Sequence, residues 1–145
     1  MRIVIQRVKN ASVRVDGKVS GSIQHGLLLL VGIHESDTEE ELDWCCRKIP
    51  KLRIFNDDEG KMNESLQDIR GEILVVSQFT LYGNMKKGTR PSFIEAAKPE
   101  KAEGMYNQMI KQLKETGLKI ESGEFGAMME VDFINDGPVT LVMDH

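Results

Sequence analysis

The chain has 145 residues, of which 40% are hydrophobic and 29% are charged, and its formal net charge is −4. This length suits one folded domain with a sizeable core, so residues 1–145 are expected to form a single domain. The acidic balance argues against a protein that grips a long nucleic-acid backbone through many Lys and Arg contacts, but it leaves room for binding the end of an RNA.

Cysteine and histidine usage limits the kinds of site that the chain can form. Cys45 and Cys46 are adjacent, so they fit neither a disulfide framework nor a zinc-finger spacing. The histidines show no ligand spacing, and neither a metal nor another cofactor is predicted. No apolar run approaches the roughly 20 residues that cross a membrane, and the first residues follow a strand pattern instead of a signal peptide. A cytoplasmic protein without a membrane segment is therefore expected.

Three strands are predicted first in the chain. Residues 1–15 alternate between apolar and polar, with a bulge expected at 10–12, where the apolar residues change faces. Asp16-Gly17 is a strong hairpin signal before the second strand, 18–23. The apolar run 27–33 is typical of a central buried strand.

Two helices are predicted among the remaining strands. The first begins at Asp37 or Thr38, where the sequence fits a capping box, and ends at Pro50. The cysteines are expected on its buried face. The second runs from Pro99 to Gly117. Short strands are predicted at 51–55, 72–77 and 119–122, and the acidic stretch 56–60 lacks the ligand pattern of a calcium loop.

The last alternating run, 128–144, is interrupted by Asn135-Asp136-Gly137-Pro138. Proline has no N–H to give to a sheet, so this segment is either a hairpin turn between two strands or a rigid loop that offers main-chain groups to a ligand. The count of seven or eight strands and two helices predicts a mixed α/β fold. We expect a largely antiparallel curled sheet or β-barrel with the two main helices packed outside.

Polar residues end the strand 72–77, which makes the segment from Ser77 to Tyr82, with the hydroxyls of Ser77 and Thr80, a candidate site. Either hydroxyl would need a base to act as a nucleophile, and no His or acid lies nearby in sequence. Main-chain N–H groups here could instead form an oxyanion hole. The alternative without function is a strand-end turn with a buried Phe79.

Two further groups of charged residues are weaker candidates. The loop that carries Lys86, Lys87 and Arg90 suits phosphate contacts or is a solvated surface loop. The carboxylates of Glu121, Glu124 and Glu130 are isolated acid–base candidates and are more typical of a surface.

The chain resembles the D-aminoacyl-tRNA deacylases nearly end to end. The two most specific motifs are Ser77-Gln78-Phe79-Thr80-Leu81 and Asn135-Asp136-Gly137-Pro138-Val139-Thr140. Residues 1–8 and 87–93 also match. The resemblance implies hydrolysis of the ester between a D-amino acid and the 3′-terminal ribose of tRNA, and removal of glycine mischarged on alanine tRNA.

The resemblance also implies a homodimer with its sites at the subunit interface. Gly137 and Pro138 would form a Gly-cisPro pair that reaches into the partner's pocket, meets the α-amino group and leaves no room for an L side chain. The terminal ribose 2′-OH is expected to assist the attacking water.

Within the pocket, the resemblance assigns the ester carbonyl to main-chain groups of Gln78, Phe79 and Thr80. Ser77 and Met129 would line the pocket. The cations Lys86, Lys87 and Arg90 would contact phosphates of the acceptor strand.

Three functions remain open from the sequence. The first is an editing hydrolase of aminoacyl-tRNA, which both motifs favour. The second is a non-catalytic RNA-binding module of the same fold. The third is a hydrolase of small esters or peptides that uses Thr80 or Ser77.

Overall fold

The structure is a computed structural model that describes every residue, Met1–His145. Its strands are β1 (Arg2–Val15), β2 (Lys18–Ile23), β3 (Gly26–Gly32), β4 (Arg53–Asn56), β5 (Met62–Ser65), β6 (Glu72–Ser77), β7 (Ile120–Ser122) and β8 (Glu130–Asp144). Its helices are α1 (Glu39–Lys48) and α2 (Pro99–Lys114), and 3₁₀ turns cover Ile49–Lys51 and Phe79–Tyr82.

Six strands form one mixed sheet in the order β2-β1-β3-β6-β7, with β8 paired along β1. β1 is antiparallel to β2, β3 and β8, whereas β6 is parallel to β3 and β7. The sheet curls until β2 meets β7, where Ser20 Oγ donates to the Ser122 carbonyl over 3.3 Å. The predicted α/β fold with a curled, nearly closed sheet and two helices is confirmed.

Both faces of β3 and β6 are buried, which explains their continuous apolar runs. Leu27 and Leu29 of β3 belong to the larger core, which α1 and α2 cover. Leu28 faces the other way, into a smaller core inside the curl of the sheet with Leu74 of β6. Tyr106 of α2 fastens the helix layer to the sheet, because its hydroxyl donates to the Val75 carbonyl over 2.8 Å.

The predicted start of α1 is confirmed at Thr38. Its hydroxyl accepts from the Glu40 amide at 3.2 Å, and its own amide donates to the Glu41 carboxylate at 2.7 Å. These bonds form the predicted capping box. The hydrogen bonds from Thr38 lower the pKa of the Glu41 carboxyl to about 2.

The two cysteines lie in the core, as predicted, and we expect their thiols to be unreactive in the folded protein. Burial raises the pKa of Cys45 to about 11 and that of Cys46 to about 12. At pH 8 both are therefore protonated, and the thiolate is the reactive form. A thiol reagent should label both sites only after urea unfolds the chain. Rapid labelling of native protein would contradict this placement.

The run 128–144 contains one strand, so the hairpin interpretation of Gly137-Pro138 is wrong. β8 pairs antiparallel with β1 on both sides of this pair, from Glu130 opposite Arg14 to Asp144 opposite Arg2. The chain therefore keeps its direction, and residues 136–139 bulge out of the ladder between the pairings of Asn135 and Thr140. Because proline interrupts a ladder in a bulge and in a turn alike, local sequence did not separate the two.

Two smaller differences concern the strands. The irregularity expected at 10–12 of β1 begins earlier, between Gln6 and Asn10 of its pairing with β8. β5 was not predicted, because Met62–Ser65 is mostly polar; it pairs with β4 in a separate two-stranded sheet.

Candidate functional site

The candidate catalytic segment begins where β6 ends. β6 lies parallel to β3, with Ser77 opposite Val31. The next amide, that of Gln78, still donates to the Val31 carbonyl over 2.7 Å, and the chain then enters the 3₁₀ turn Phe79–Tyr82. Sheet pairing therefore fixes the entrance to this turn.

Two residues outside the predicted site hold the turn in place. A Cβ on Gly32 would lie 3.2 Å from the Gln78 carbonyl and 3.1 Å from the Leu81 side chain, so this position favours glycine. Arg2 Nη1 donates to the Leu81 carbonyl over 3.0 Å, and the same guanidinium pairs with Asp144 at 2.7 Å. The turn is thus fastened to the ends of β1, β3 and β8.

The turn presents main-chain donors and no local base. The first amides of a 3₁₀ turn have no partner inside the turn, which leaves the N–H groups of Phe79 and Thr80 outside its internal bonding. The Thr80 hydroxyl contacts the side-chain amide of Gln78, and an amide is not a proton acceptor for nucleophile activation. Phe79 is 58% exposed, so the alternative of a turn with a buried Phe79 is wrong.

Tyr82, which closes the turn, is buried, and its hydroxyl is not a general base. Burial raises the pKa of Tyr82 far above its usual range, and the carboxylates of Asp37 and Asp144 raise it further. The phenol is therefore protonated at neutral pH.

The bulge of β8 rests on Arg7, a residue that the sequence analysis did not single out. Arg7 is 6% exposed. Its Nε donates to the Asp136 carbonyl over 3.1 Å, and its Nη1 donates to the Ile54 carbonyl over 2.7 Å. The guanidinium also lies 3.4 Å from the Asp136 carboxylate. The sequence signal that could have pointed to Arg7 is a charged residue at an apolar position in the alternation of β1.

The side chain of Asn135 spans the bulge. Its Oδ1 accepts from the Val139 amide at 2.9 Å, and its Nδ2 donates to the Thr140 hydroxyl at 2.8 Å. Between these anchors Gly137 and Pro138 are exposed, joined by a cis peptide bond. The φ of Gly137 is 124°, a value that L side chains rarely adopt.

The two candidate segments are anchored at different positions along β1. Arg2 binds the turn at Leu81, whereas Arg7 binds the bulge at Asp136. Arg2 and Arg7 are five positions apart on β1, or roughly 16 Å along the strand at 3.3 Å per residue. A single chain thus anchors the two segments at separate positions on one strand.

The other predicted site residues lie on several separate segments of the chain. Met129 packs against Gly123, whose amide donates to the Val75 carbonyl, two residues before Ser77. The side chains of Lys86, Lys87 and Arg90 are exposed on the loop that follows the turn. The Glu124 and Glu130 side chains are exposed, and Glu121 is half-buried.

The remaining surface offers few alternative sites. A cavity of about 510 Å³ lies between α1 and α2, and none of the predicted site residues lines it. No group of three or more His, Cys, Asp or Glu side chains is placed to hold a metal ion. Neither α-helix has the length and apolar character needed to cross a membrane.

Sequence comparison identifies the group of proteins to which this arrangement belongs. Residues 4–144 match the profile of the family described as D-Tyr-tRNA(Tyr) deacylase. The chain belongs to this deacylase family. Both candidate segments, the turn after β6 and the bulge of β8, lie within the matched residues.

Named members of the deacylase family are similar over nearly their whole length. The D-aminoacyl-tRNA deacylase of Geobacillus sp. (strain WCH70) is 57% identical over 144 residues, which cover 99% of this chain and 95% of that protein. The enzyme of the same name from Shouchella clausii (strain KSM-K16) is 56% identical, with 99% of each chain covered.

A solved structure extends the likeness to the fold. The protein described as c-Myc DNA Unwinding Element Binding Protein superposes with a TM-score of 0.94 at 45% identity, covering 100% of this chain and 99% of that one.

Proposed function

We propose that the chain hydrolyses the ester of D-aminoacyl-tRNA through the turn after β6 and excludes L-aminoacyl esters through the bulge of β8. As a member of the deacylase family it is a hydrolase, a D-aminoacyl-tRNA deacylase. The observation that carries the proposal is the match over residues 4–144 together with the placement of both motifs at ordered, solvent-facing segments.

In the proposed reaction, main-chain groups at Gln78, Phe79 and Thr80 polarise the ester carbonyl. The N–H donors stabilise the negative charge that develops on the carbonyl oxygen when water attacks. The hydroxyl of water joins the acyl carbon, the ester bond breaks, and a proton passes to the ribose 3′-oxygen. The neighbouring 2′-OH of the ribose assists the water, which compensates for the missing base. Ser77 and Met129 line the acyl pocket.

In the proposed selection step, Gly137 and Pro138 lie against the Cα of the substrate's amino acid. The side chain of a D-amino acid varies, so contacts to it cannot define chirality, whereas fixed backbone atoms around Cα can. The main-chain carbonyls of the pair meet the α-amino group and fill the space of an L side chain. Glycine has no side chain to exclude, so glycine mischarged on alanine tRNA is also a substrate.

A homodimer would allow the bulge of one subunit to enter the pocket of the other. Within one chain the two segments are anchored roughly 16 Å apart along β1, so the proposal has the partner's bulge complete the pocket. β8 pairs only with β1, and it exposes apolar side chains, including Ile134 and Val142, which are 52% and 65% exposed. A long apolar edge strand is a common surface for pairing with another chain.

The decisive experiment offers one tRNA charged with D-tyrosine or with L-tyrosine and measures hydrolysis of each ester. The proposal expects rapid loss of the D ester alone. Equal rates would reject the selector, and no hydrolysis of either ester would leave a non-catalytic RNA-binding module as the better function. Sedimentation of the active protein tests the homodimer.

Removal of the Thr80 hydroxyl is expected to leave most of the activity. Loss of a true catalytic nucleophile lowers kcat by roughly 10⁶-fold, whereas Thr80→Ala should lower the single-turnover rate by less than about 10-fold because main-chain donors remain. A loss of several orders of magnitude, with the fold intact by circular dichroism, would restore the nucleophile hypothesis.

Neutralising Lys86, Lys87 and Arg90 together is expected to weaken tRNA binding and flatten its salt dependence. Each lost phosphate contact on single-stranded RNA should reduce the slope of log K against log salt by about 0.7. Binding titrations at several salt concentrations measure this slope. A double Lys111→Gln/Lys114→Gln variant on α2 is the control, and an unchanged slope in the loop variant would contradict the assignment.

The solved relative is described as a DNA unwinding element binding protein, which raises DNA binding as a second activity. The net charge of −4 disfavours it here, because grip on a duplex depends on many phosphate contacts. A binding assay with duplex DNA and with tRNA at the same salt concentration separates the two.

A further inference from the structure

An exposed apolar patch adjoins the turn after β6, and the proposed reaction does not use it. Phe79 is 58% exposed and Phe93 is 36% exposed, and Met85 and Ile94, close to them in sequence, are 72% and 87% exposed. Large apolar side chains gathered at one surface mark a binding site more often than isolated ones do.

The patch has a defined geometry. The rings of Phe79 and Phe93 meet edge to face with their centroids 5.2 Å apart. The chain between them returns on itself, because Asn84 and Ser92 exchange two backbone hydrogen bonds of 2.8 and 3.0 Å. Residues 84–92 therefore form a closed projection, here called the tongue, with Phe93 at its base.

Close packing ties the tongue to the catalytic turn. A Cβ added to Gly83 would lie 3.0 Å from the Phe93 ring and 3.0 Å from the Thr80 carbonyl. The Phe93 ring therefore rests directly on the main chain that leaves the turn. The Phe79–Phe93 pair therefore borders the site proposed at Gln78–Thr80.

The charge of the tongue indicates what that occupant is. Its tip carries Lys86, Lys87 and Arg90, all exposed, in a chain whose net charge is −4. Aromatic rings that stack bases, next to cations that meet phosphates, are the two parts of a surface for single-stranded nucleic acid. An apolar protein partner would explain the rings but not the cations.

We propose that the Phe79–Phe93 pair is a stacking platform for the single-stranded nucleotides immediately upstream of the terminal adenosine, with the tongue cations on their phosphates. This inference rests on the proposed function, because it places the rest of the acceptor end relative to the same pocket. The platform distinguishes a tRNA end from a free aminoacyl-adenosine.

The test compares two D-tyrosyl esters, one on full tRNA and one on adenosine alone, which has no upstream nucleotides. Phe93→Ala should reduce kcat/KM for D-tyrosyl-tRNA by roughly 10-fold through KM, since base–aromatic stacking is worth a factor of this order. The rate on D-tyrosyl-adenosine should fall much less, because that ester has no upstream nucleotides for the platform to bind. Phe93→Tyr, which keeps the aromatic face, should retain the wild-type KM, and Met62→Ala, an exposed apolar residue on β5, is the matched control.

A binding measurement makes the inference independent of catalysis. Wild-type protein should bind a single-stranded RNA that ends in CCA and carries no amino acid more tightly than the Phe93→Ala variant does. The affinity for adenosine should be the same for both proteins. Equal losses on the tRNA ester and the adenosine ester would overturn the platform, because Phe93 would then serve the terminal pocket. Unchanged kinetics and RNA affinity in Phe93→Ala would overturn it as well. If wild-type protein hydrolyses neither ester, the proposed function fails, and the RNA binding comparison still decides the platform.

Discussion

Replacing Gly137 by alanine is expected to lower hydrolysis of D-tyrosyl-tRNA by roughly 100-fold, the penalty for a displacement of about 1 Å at a reacting centre. At a φ of 124° an added Cβ would lie 2.9 Å from Arg7 Nη2 and 3.0 Å from a Val139 methyl group. Arg7 cannot yield easily, because three acceptors hold its guanidinium. The bulge must therefore move, and the strain should cost about 1–3 kcal/mol of unfolding free energy.

Gly60→Ala is the matched control for Gly137→Ala. Gly60 also has a positive φ, 78°, but a Cβ there would meet nothing within 4 Å. Its substitution should lower stability slightly and leave the rate on D-tyrosyl-tRNA unchanged. Single-turnover rates and urea unfolding of both variants provide the comparison. A Gly137→Ala enzyme with wild-type activity would show that the bulge takes no part in the reaction.

Replacing Arg7 by methionine is expected to give the largest loss of stability, about 3–5 kcal/mol of unfolding free energy. Methionine is apolar and cannot bond the carbonyls of Asp136 and Ile54, which Arg7 now satisfies. The Asp136 carboxylate also loses its cation at 3.4 Å. The same substitution should release the bulge, so hydrolysis of the D ester should fall even where the variant is fully folded.

Arg14→Met is the control for Arg7→Met, because it lies on the same strand and also pairs with an acid of β8, Asp132. Arg14 is 40% exposed, and a surface pair of this kind contributes about 0–1 kcal/mol. Urea titrations should separate the two variants clearly. Equal unfolding free energies for the two variants would mean that the buried contacts of Arg7 stabilise the fold no more than the surface pair of Arg14 does.

Local patterns predicted much of the fold. The hairpin signal at Asp16-Gly17 and the capping box at Thr38 correctly located β1, β2 and the start of α1, since both signals depend on residues near in sequence. The polar hairpin of β4 and β5 was missed in part, because Met62–Ser65 lacks the alternation that marks a strand.

The sequence by itself determined the strand and helix pattern and, through its motifs, the two segments that the site proposal uses. The tertiary structure decided that Gly137-Pro138 lies in a bulge of a strand and not in a turn, because only the pairing with β1 shows that the chain keeps its direction. It also revealed Arg7 as the support of that bulge. A buried arginine must find its acceptors, and here these come from β4 and β8, distant in sequence and adjacent only after folding.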